Sequence, residues 1–383
     1  MSKTEIPSIR FRGFDDAWEQ RKLGEVATFI NGRAYSQPEL LSSGKYKVLR
    51  VGNFYTNDSW YYSDLELGEK YYADYGDLLY TWSATFGPHI WLGDRAIYHY
   101  HIWKINLSDQ LEKQFAVQLL EQDRANILSS KNGSTMVHIT KEGMEQKDVI
   151  ISPNTKEQQE IGAFFLQLDN LITLHQRKFE KLTNVKKSML EKMFPRNGSC
   201  YPEIRFKGFT DPWEQRKVRE VTDRYDNLRI PVAANLRVAG TTPYYGANGI
   251  QDYVEGYTHD GEFILVAEDG ANDLKNYPVK CVKGRIWVNN HAHVLQGKCA
   301  YADNQFLAYA ISQADIESLL VGGGRVKLNA ETLMDIELLL PIKDEQIQIG
   351  HYLARLDNLI TLHQRELEKL QNIKKALLEK MFV

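Results

Sequence analysis

Apolar side chains recur at alternating spacings of four and three residues along two long stretches of the chain, which predicts two amphipathic helices. The positions are Ile161, Phe165, Leu168, Ile172, His175, Phe179 and Leu182 in the first stretch, and Ile349, Leu353, Leu356, Ile360, His363, Leu367 and Leu370 in the second. This is the heptad spacing of a coiled-coil seam. The first helix, 38 residues over 157–194, would be roughly 57 Å long. Since a lone apolar seam needs a partner, we expect the two helices to pair antiparallel.

One histidine stands at the same point of each seam, His175 in the first copy and His363 in the second. A titrating histidine in a seam could act as a proton switch or a ligand. The simpler interpretation is a partly buried ring that hydrogen-bonds across the helix pair, and this is the one we expect.

Small and polar residues mark the beginning of both predicted helices. Gly162 and Gly350 occupy equivalent early positions, where a glycine costs about 1 kcal/mol in a helix interior. We therefore expect another element to approach both helices closely there. Thr155 with Gln158 three residues later predicts a capping box, and Asp344 is the corresponding candidate cap in the second copy.

Outside these stretches, short runs rich in aromatic and β-branched residues are broken by Gly, Asn and Asp. The clearest predicted strands are GDLLYTW (76–82) and GEFILVA (261–267), and a polar, glycine-bearing loop follows each. This alternation is typical of a mixed α+β domain with many loops.

Two segments of the chain occur twice. Residues 7–26 return at 202–221 with 14 of 20 positions identical, and residues 153–194 return at 341–382 with 26 of 42 identical. The second pair contains LDNLITLHQR without a change, whereas the segments between the repeats share little sequence. An internal repeat of this length predicts two copies of one structural unit.

The repeat predicts an α+β protein with an internal pseudo-two-fold repeat, in which a pair of long antiparallel coiled-coil helices separates two globular domains. The predicted boundaries are 1–152 for the first domain, 153–194 for the first helix, 195–203 for a linker, 204–340 for the second domain and 341–383 for the second helix.

Composition narrows the class of protein without naming a ligand. Hydrophobic residues make up 43% and charged residues 25% of the chain, and the net charge is −3. The divergent segments are acidic, with 12 basic and 15 acidic residues in 27–152 and 10 and 15 in 222–340. Bulk charge therefore does not favour a polyanion partner. The polar N-terminal segment, the lack of a long apolar run and the three unpaired cysteines predict a cytoplasmic protein without a membrane partner.

The candidate chemistry is sparse. Each divergent segment holds an H-x-H pair, His99 with His101 and His291 with His293, which would share one face of a strand. No further ligand recurs at a fixed distance, so we predict neither a metal nor another cofactor. The chain also lacks a phosphate-binding loop and a dinucleotide fingerprint. These absences make an autonomous enzyme the weaker hypothesis.

The repeated segments carry a resemblance to a known family. IRFKGFTDPWEQRKVREV, EQQEIGAFFLQLDNLITLHQRKFEKL with its repeat, GEFILVAEDGAN and WVNNHAHVL resemble the specificity subunits of type I restriction-modification systems over essentially the whole chain. The resemblance implies that each divergent segment is a target recognition domain that reads half of a bipartite sequence in double-stranded DNA. It also implies a helical spacer that docks two methyltransferase subunits, with catalysis in these and in the restriction and translocation subunits.

The residues expected to contact DNA follow predicted strands or lie in basic clusters. They are Arg33, Arg50, Asn53, Tyr80, Trp82, Ser83 and Thr85 in the first domain, and Tyr244, Tyr245, Asn248, Glu268, Asp269, Asn272, Asn290, His291, Arg325 and Lys327 in the second. Asparagine can pair with adenine in two hydrogen bonds, and a carboxylate can accept from cytosine N4. The two domains do not resemble the same subtype, because YKVLRVGNFY of the first stands where the second has TTPYYGANGI.

Two other functions stay open at this point. A tandem adaptor would use both domains and the helix pair to bind proteins, without DNA specificity. An enzyme in the divergent domains could use an H-x-H pair for metal chemistry, and replacing His99 or His291 would then abolish turnover.

Overall fold

A computed structural model describes residues 6–55, 57–83, 85–129, 139–196, 198–322 and 326–382. The chain divides into two compact units, the first formed by Met1–His175 with Arg365–Val383 and the second by Gln176–Gln364. This division differs from the predicted boundaries, because each long helix contributes one half to each unit. Among the described residues, no helix is both long enough and apolar enough to cross a bilayer.

In the part of the first unit that the structure describes, ten strands combine with three short or medium helices and the first part of a long one. The strands are β1 Glu19–Lys22, β2 Ala27–Asn31, β3 Tyr46–Leu49, β4 Tyr61–Ser63, β5 Tyr72–Ala73, β6 Leu78–Thr81, β7 Gly87–Ile90, β8 Ala96–Tyr98, β9 Ile102–Leu107 and β10 Asp148–Ile151. The helices are α1 Leu23–Val26, α2 Lys113–Ser129, α3 Lys141–Glu145 and α4 Thr155–Lys192, and α4 continues into the second unit.

The second unit has a corresponding order of elements, with eight strands among its described residues. Its strands are β11 Glu214–Lys217, β12 Thr222–Arg224, β13 Ala239–Gly246, β14 Gly249–Val254, β15 His259–Ala267, β16 Val279–Val288, β17 Ala292–Gly297 and β18 Glu337–Leu340. Its helices are α5 Val218–Val221, α6 Asn304–Ser312, α7 Ala330–Asp335 and α8 Lys343–Met381, and α8 ends in the first unit.

Both units pair their strands in the same way, although their sequences diverge. In the first, β2 pairs β9, β9 pairs β6, β6 pairs β7, and β3 pairs β4 antiparallel and β8 parallel. In the second, β12, β17, β15 and β16 follow in the same antiparallel order, and β13 pairs β14 antiparallel and β16 parallel. The sequences indicate two different subtypes of domain, but the strand topology of the two domains is the same.

Among the described residues, each unit has a two-stranded sheet, β1 with β10 and β11 with β18. Beside it the first unit has two four-stranded sheets where the second has a six-stranded one, and the strand β16 accounts for this difference. β16 runs unbroken for ten residues and pairs with both β15 and β13. In the first unit its place is taken by β7 and β8, with residues 91–95 between them. The long strand stays continuous past Gly284, whose φ of 96° is a backbone conformation that favours glycine.

The residues predicted for the helix seam lie along one side of each long helix. Every seam position is buried or half-buried, including His175 and His363. Within the first unit α4 and α8 are joined by an ion pair from Lys374 to Asp169 at 2.6 Å, and within the second by one from Lys186 to Asp357 at 2.5 Å. Both partners of one pair lie 188 residues from their counterparts in the other. The two units thus repeat the same antiparallel contact.

The start of each long helix is held by a buried glutamate and a buried glutamine. Glu157 accepts from Arg10 at 2.5 and 2.9 Å, and Glu345 accepts from Arg205 at 2.7 Å through each oxygen. Each of these ion pairs joins a residue of the first repeated segment to a residue of the second. The two segments contact each other, which is a reason why both are repeated. Gln158 donates to Gln110 O and Ser152 O and accepts from Glu112 N.

The predicted caps are wrong, whereas the predicted close approach is confirmed. The Gln158 amide is used by neighbouring loops, and Asp344 lies inside the first turn of α8. A Cβ added at Gly162 would lie 2.8 Å from Phe115 N, and one at Gly350 would lie 2.9 Å from Phe306 N. The N-terminal ends of α2 and α6 thus approach the long helices too closely for a side chain.

The end of each long helix completes a hydrophobic core. In the first unit Phe382 lies 5.1 Å from Phe115 and 6.2 Å from Trp18, measured between ring centroids. In the second unit Phe194 stacks on Phe306 at 5.4 Å. Part of the seam therefore belongs to the globular cores, since α4 packs Ile161, Phe165 and Leu168 into the core of the first unit.

Candidate nucleic-acid and subunit interfaces

A three-residue turn after β8 in the first unit corresponds to one after β16 in the second. It comprises residues 99–101 in the first unit and 289–291 in the second. In both turns the first residue donates its backbone N–H to the strand beside it, His99 to Leu49 O and Asn289 to Tyr245 O. The third residue accepts from the end of the neighbouring strand, His101 O from Trp82 N and His291 O from Glu268 N. These two backbone contacts are therefore common to both turns.

This correspondence shifts the two H-x-H pairs against each other by two residues. His101 of the first pair matches His291 of the second, whereas His99 matches Asn289. His99 Nδ1 accepts from His101 N at 3.5 Å, and Asn289 Oδ1 accepts from His291 N at 2.8 Å. The first residue of each turn thus braces its backbone.

Aromatic rings surround the turn of the first unit. Trp82 donates its indole N–H to Tyr100 O at 3.0 Å and meets His101 edge-on, with ring centroids 5.0 Å apart. Tyr100 is 40% exposed at the tip of the turn. Burial lowers the pKa of His99 to about 4 and also lowers the pKa of His101. Both rings are therefore neutral near pH 7 and offer hydrogen bonds rather than positive charge.

The two predicted arginines of the first unit lie beside this turn but are held by other groups. The backbone of Arg33 forms an isolated β-bridge with that of His99. The guanidinium of Arg33 donates to Glu39 at 2.6 Å and lies over the ring of Tyr35. Arg50 lies over the ring of Tyr61, with its guanidinium carbon 4.2 Å from the centroid.

Asn53 and Tyr55 order the loop that follows β3. Asn53 accepts from Arg50 N and donates to the backbone oxygens of Asn57 and Ser59. Tyr55, which is 39% exposed, contacts His89 Nε2 at 3.1 Å. Asn53 therefore shapes the loop, and Tyr55 presents a polar aromatic surface at the end of β6.

In the second unit, polar side chains take the place of the aromatic surround. Asp269 and His291 are hydrogen-bonded at 2.5 Å between Oδ1 and Nδ1, with side-chain exposures of 24% and 34%. Asn248 donates to Gly270 O and accepts from Asn272 N, which joins the β13–β14 turn to the loop after β15. Asn290 is exposed at the tip of the turn.

A buried network of ions lies beneath this surface. Glu268 accepts from Arg229 at 2.6 Å and pairs with Lys327 at 2.8 Å, and its side chain is 12% exposed. Asp226 pairs with His293 at 2.7 Å. Burial raises the pKa of both carboxyls, but hydrogen bonds lower it by more. These bonds come from Lys327 and Arg229 for Glu268, and from His293 for Asp226. The net pKa of each carboxyl is lowered.

The ligand atoms of Asp226, Glu268 and His293 lie within 4.8 Å of one another, the spacing of a metal site. His293, however, uses both ring nitrogens, Nδ1 toward Asp226 and Nε2 toward Leu328 O at 2.9 Å. A carbonyl oxygen only accepts, so Nε2 carries a proton and has no lone pair for a metal. Arg229 and Lys327 already neutralise Glu268. The group is therefore an ion network that holds the 327–328 segment.

Three predicted contact residues belong to the core instead. Tyr80 is 0%, Tyr244 1% and Tyr245 6% exposed. They lie within strands rather than on the loops that follow them, and a side chain at such a depth cannot reach a base. Ser83 is half-buried and Thr85 exposed after β6, whereas Arg325 lies outside the described residues.

Sequence reasoning missed several residues of this surface. Tyr100 and His101 lie beside the predicted Trp82, but neither is among the residues that the sequence predicts to contact DNA. Arg229 was not predicted, although it is the cation that fixes Glu268. An alignment of WVNNHAHVL with AIYHYHIWKI by the ends of their strands could have found Tyr100 and His101. It places His101 opposite His291, because each is the third residue after its strand. An alignment by the H-x-H pairs does not.

Each unit also has a groove beside the end of a long helix, and the helix residues that line the two grooves are equivalent. The groove of the second unit, of about 600 Å³, is lined by Lys186, Lys187, Leu190 and Glu191 and by residues 312–317. The groove of the first unit, of about 680 Å³, is lined by Lys374, Lys375, Leu378 and Glu379 and by the end of α2.

Two leucines of the unchanged repeat are exposed in both units. Leu171 and Leu174 are 47% and 45% exposed on α4, and Leu359 and Leu362 are 36% and 52% exposed on α8. Both pairs lie 188 residues apart in sequence. The repeat thus buries one face in the helix pair and presents a second apolar face to solvent.

Comparison with known proteins agrees with the division of the chain into two repeated units. The family model described as the type I restriction modification DNA specificity domain matches twice, at residues 15–184 and 210–372. The chain belongs to this family. Each match begins just before the first strand of a unit and ends within a long helix, so the two domains correspond to the two internal repeats.

Individual relatives are named type I restriction enzyme specificity subunits. A putative type I restriction enzyme specificity subunit from Haemophilus influenzae is 40% identical over 161 residues, which are 42% of this chain and 41% of that protein. The MjaVIII specificity subunit from Methanocaldococcus jannaschii is 21% identical over 94% of this chain and 91% of its own length. The first of these matches thus spans less than half of that relative.

A solved structure supports the fold over the full chain. The S subunit of a type I restriction-modification system from M. genitalium superposes with a TM-score of 0.76, covering 99% of each chain at 15% identity. The predicted α+β class and the paired long helices are confirmed, and the family favours a specificity subunit over a tandem adaptor.

Proposed function

We propose that this chain reads DNA for a type I restriction-modification complex, with each unit recognising one half of an asymmetric bipartite site in duplex DNA. The observation that carries the proposal is a common backbone with different surfaces. The units share strand order and turn contacts, but the turn is surrounded by aromatic rings in the first unit and by amides and an Asp–His pair in the second. Two readers of different half-sites require such a difference.

The acidic bulk charge bears on how the phosphates are contacted. Sequence-independent affinity for DNA comes from cations placed against the phosphate backbone. Arg33, Arg50, Arg229 and Lys327 are all engaged within the chain. We propose that partner subunits supply most of the phosphate contacts, and that this chain supplies the base contacts.

We further propose that the chain is not itself catalytic and acts in the cytoplasm beside its partners. Adenine methylation would belong to two methyltransferase subunits, and DNA translocation and cleavage to restriction subunits. The described residues near the turns support this division, because Asp226, Glu268 and His293 are committed to one another and to cations.

The duplicated apolar surface supports two copies of one methyltransferase partner. The exposed leucine pair and the Lys-Lys-x-x-Leu-Glu lining of the groove occur once in each unit. A partner that binds one copy finds the same side chains at the other. Exposed leucines on a helix are suited to an amphipathic helix of the partner, which would lay its own apolar face against them.

The docking proposal predicts a loss of one partner for each leucine pair removed. We expect the double variants Leu171→Gln with Leu174→Gln, and Leu359→Gln with Leu362→Gln, to bind one methyltransferase subunit instead of two. Native mass spectrometry of the co-purified complex measures the stoichiometry. Leu92→Gln, at a leucine that is 67% exposed outside the repeat, is the matched control. Two bound subunits in both double variants would contradict the assigned surface.

The reading function is tested by co-expressing the chain with its methyltransferase subunit and mapping N6-methyladenine by long-read sequencing. A single bipartite motif with two different halves is the expected result. A stable complex that methylates no defined sequence would contradict the proposal and favour a protein-binding adaptor.

A further inference from the structure

The two equivalent turns differ most at their second residue. Tyr100 is 40% exposed at the tip of the first turn, and Asn290 is exposed at the tip of the second. The residue before each tip is turned inward, since His99 and Asn289 accept hydrogen bonds from the backbone of the same turn. The tip is therefore held outward by a brace that uses different side chains for the same purpose.

The residue after the tip is a histidine in both turns, and the end of the neighbouring strand orients its ring. Trp82 meets His101 edge-on in the first unit, and Asp269 holds His291 Nδ1 in the second. Trp82 is the first residue after β6, and Asp269 is the second after β15. A ring held in this way loses little conformational freedom when it binds a ligand, which favours affinity and selectivity.

Other polar residues nearby are less suited to reading a base. Both oxygens of Glu268 are used, one by Lys327 and one by Arg229. Arg33 is paired with Glu39. Recruiting either side chain to a base would break a partly buried ion pair, and that loss offsets the new contact.

We infer that the tip residue and the histidine after it, Tyr100 with His101 and Asn290 with His291, are the specificity-determining residues that contact base edges in duplex DNA. The inference rests on the proposed DNA-reading function. Asn290 has the donor and acceptor needed for two hydrogen bonds with adenine, whereas Tyr100 offers a ring face to a thymine methyl group and a hydroxyl to a base edge. Glu268 is a positioning residue beneath the second turn.

The test replaces each tip in the full chain, co-expressed with its methyltransferase subunit, and reads both half-sites by methylation mapping. We expect Asn290→Asp, which keeps the shape and removes the amide donor, to change or relax one position of one half-site by at least about 10-fold in preference. Tyr100→Ala should relax one position of the other half-site. In each variant the second half-site and the spacing should stay unchanged.

Exposed tyrosines elsewhere in the same units serve as controls. Tyr253→Ala and Tyr75→Ala, at side chains that are 53% and 75% exposed, should leave both half-sites unchanged. Selection of bound duplexes from a randomised pool repeats the reading without methylation, and a thermal melt confirms that each variant is folded. His291→Gln provides a second variant of the same site if Asn290→Asp is unstable.

The outcomes distinguish the assignment of the turns from the proposed DNA-reading function. A wild-type complex with a bipartite motif that folded Asn290→Asp, His291→Gln and Tyr100→Ala variants all retain would overturn the assignment of the turns alone. A wild-type complex without any preferred sequence would overturn the proposed function. A half-site altered by a tip variant and not by its control supports both.

Discussion

At the scale of single residues, hydrogen-bond partners decide the role of a side chain more than its type does. Glu268 and Asp269 are adjacent carboxylates at the end of β15. Glu268 is 12% exposed and pairs with Arg229 and Lys327, whereas Asp269 is 24% exposed and orients His291. Sequence alone predicted contact with DNA for both. It could not tell them apart, because the two cations that pair with Glu268 lie 39 and 59 positions away along the chain.

The buried network predicts a pH-dependent cost for removing the charge of Glu268. We expect Glu268→Gln to lower the free energy of unfolding of the second unit by about 3 kcal/mol at pH 7, because Lys327 would lose its carboxylate partner and Arg229 would be left with the more distant carboxylate of Asp226, at 3.6 Å. The lowered pKa of Glu268 stabilises the folded state above the pKa of the unfolded side chain, about 4.3, and this contribution is lost as pH falls further.

Urea denaturation of both proteins from pH 7 to pH 3 checks this expectation. The difference between wild type and Glu268→Gln should be constant down to about pH 4.3 and then shrink. Glu255→Gln, an exposed position of the same unit, should cost nothing at any pH. An undiminished difference at pH 3 would show that charge is not the cause.

At the scale of secondary structure elements, periodicity predicted the long helices well and their contacts less well. Seam spacing depends on local geometry, so α4 at Thr155–Lys192 lies within two residues of the predicted 157–194 at either end. The caps were wrong because neighbouring loops compete for Gln158. Close approach at Gly162 was predictable, since a glycine inside a helix needs a packing reason.

The end of α8 provides a stability prediction for a distant part of the sequence. Phe382 packs on Trp18, Phe115 and Phe165 in the core of the first unit. We expect Phe382→Ala to destabilise that unit by about 3–5 kcal/mol, the usual cost of emptying a buried phenylalanine site. Hydrogen exchange resolved by mass spectrometry should lose protection in residues 6–175.

The second unit and an exposed residue of α8 are the controls for this measurement. Protection of the second unit should be retained in Phe382→Ala, because Phe194 completes its core independently. Ile373→Ala, at a side chain that is 38% exposed, should change little. Equal loss of protection in both units would contradict the assignment of the C-terminal residues to the first core.

At the scale of the whole molecule, two helices run from one unit into the other, and the boundaries fall after His175 and after Gln364. We expect a heptad inserted at both boundaries to keep the seam and the ion pairs Lys374–Asp169 and Lys186–Asp357. The preferred spacing between half-sites should then grow by about three base pairs, from about 10 Å of added helix. Methylation mapping measures that spacing.

A heptad inserted in α8 alone is the comparison. It would shift α8 against α4, so one ion pair and one core would be lost, and we expect a lower melting temperature instead of a longer spacing. An unchanged spacing in the folded double insertion would contradict the hypothesis that the helix pair sets the distance between the two half-sites.

The sequence by itself determined the repeat, the helix seam, the α+β class and the family, because these are carried by local periodicity and by identities 188 and 195 residues apart. Only the tertiary structure decided which halves of the helices complete which unit, that the divergent segments share one strand order, and that His101 matches His291. Those features depend on backbone pairing between residues far apart in sequence, such as Trp82 with His101 and Glu268 with His291. Backbone hydrogen bonds are indifferent to side-chain identity, so sequences that share few residues can build the same turn.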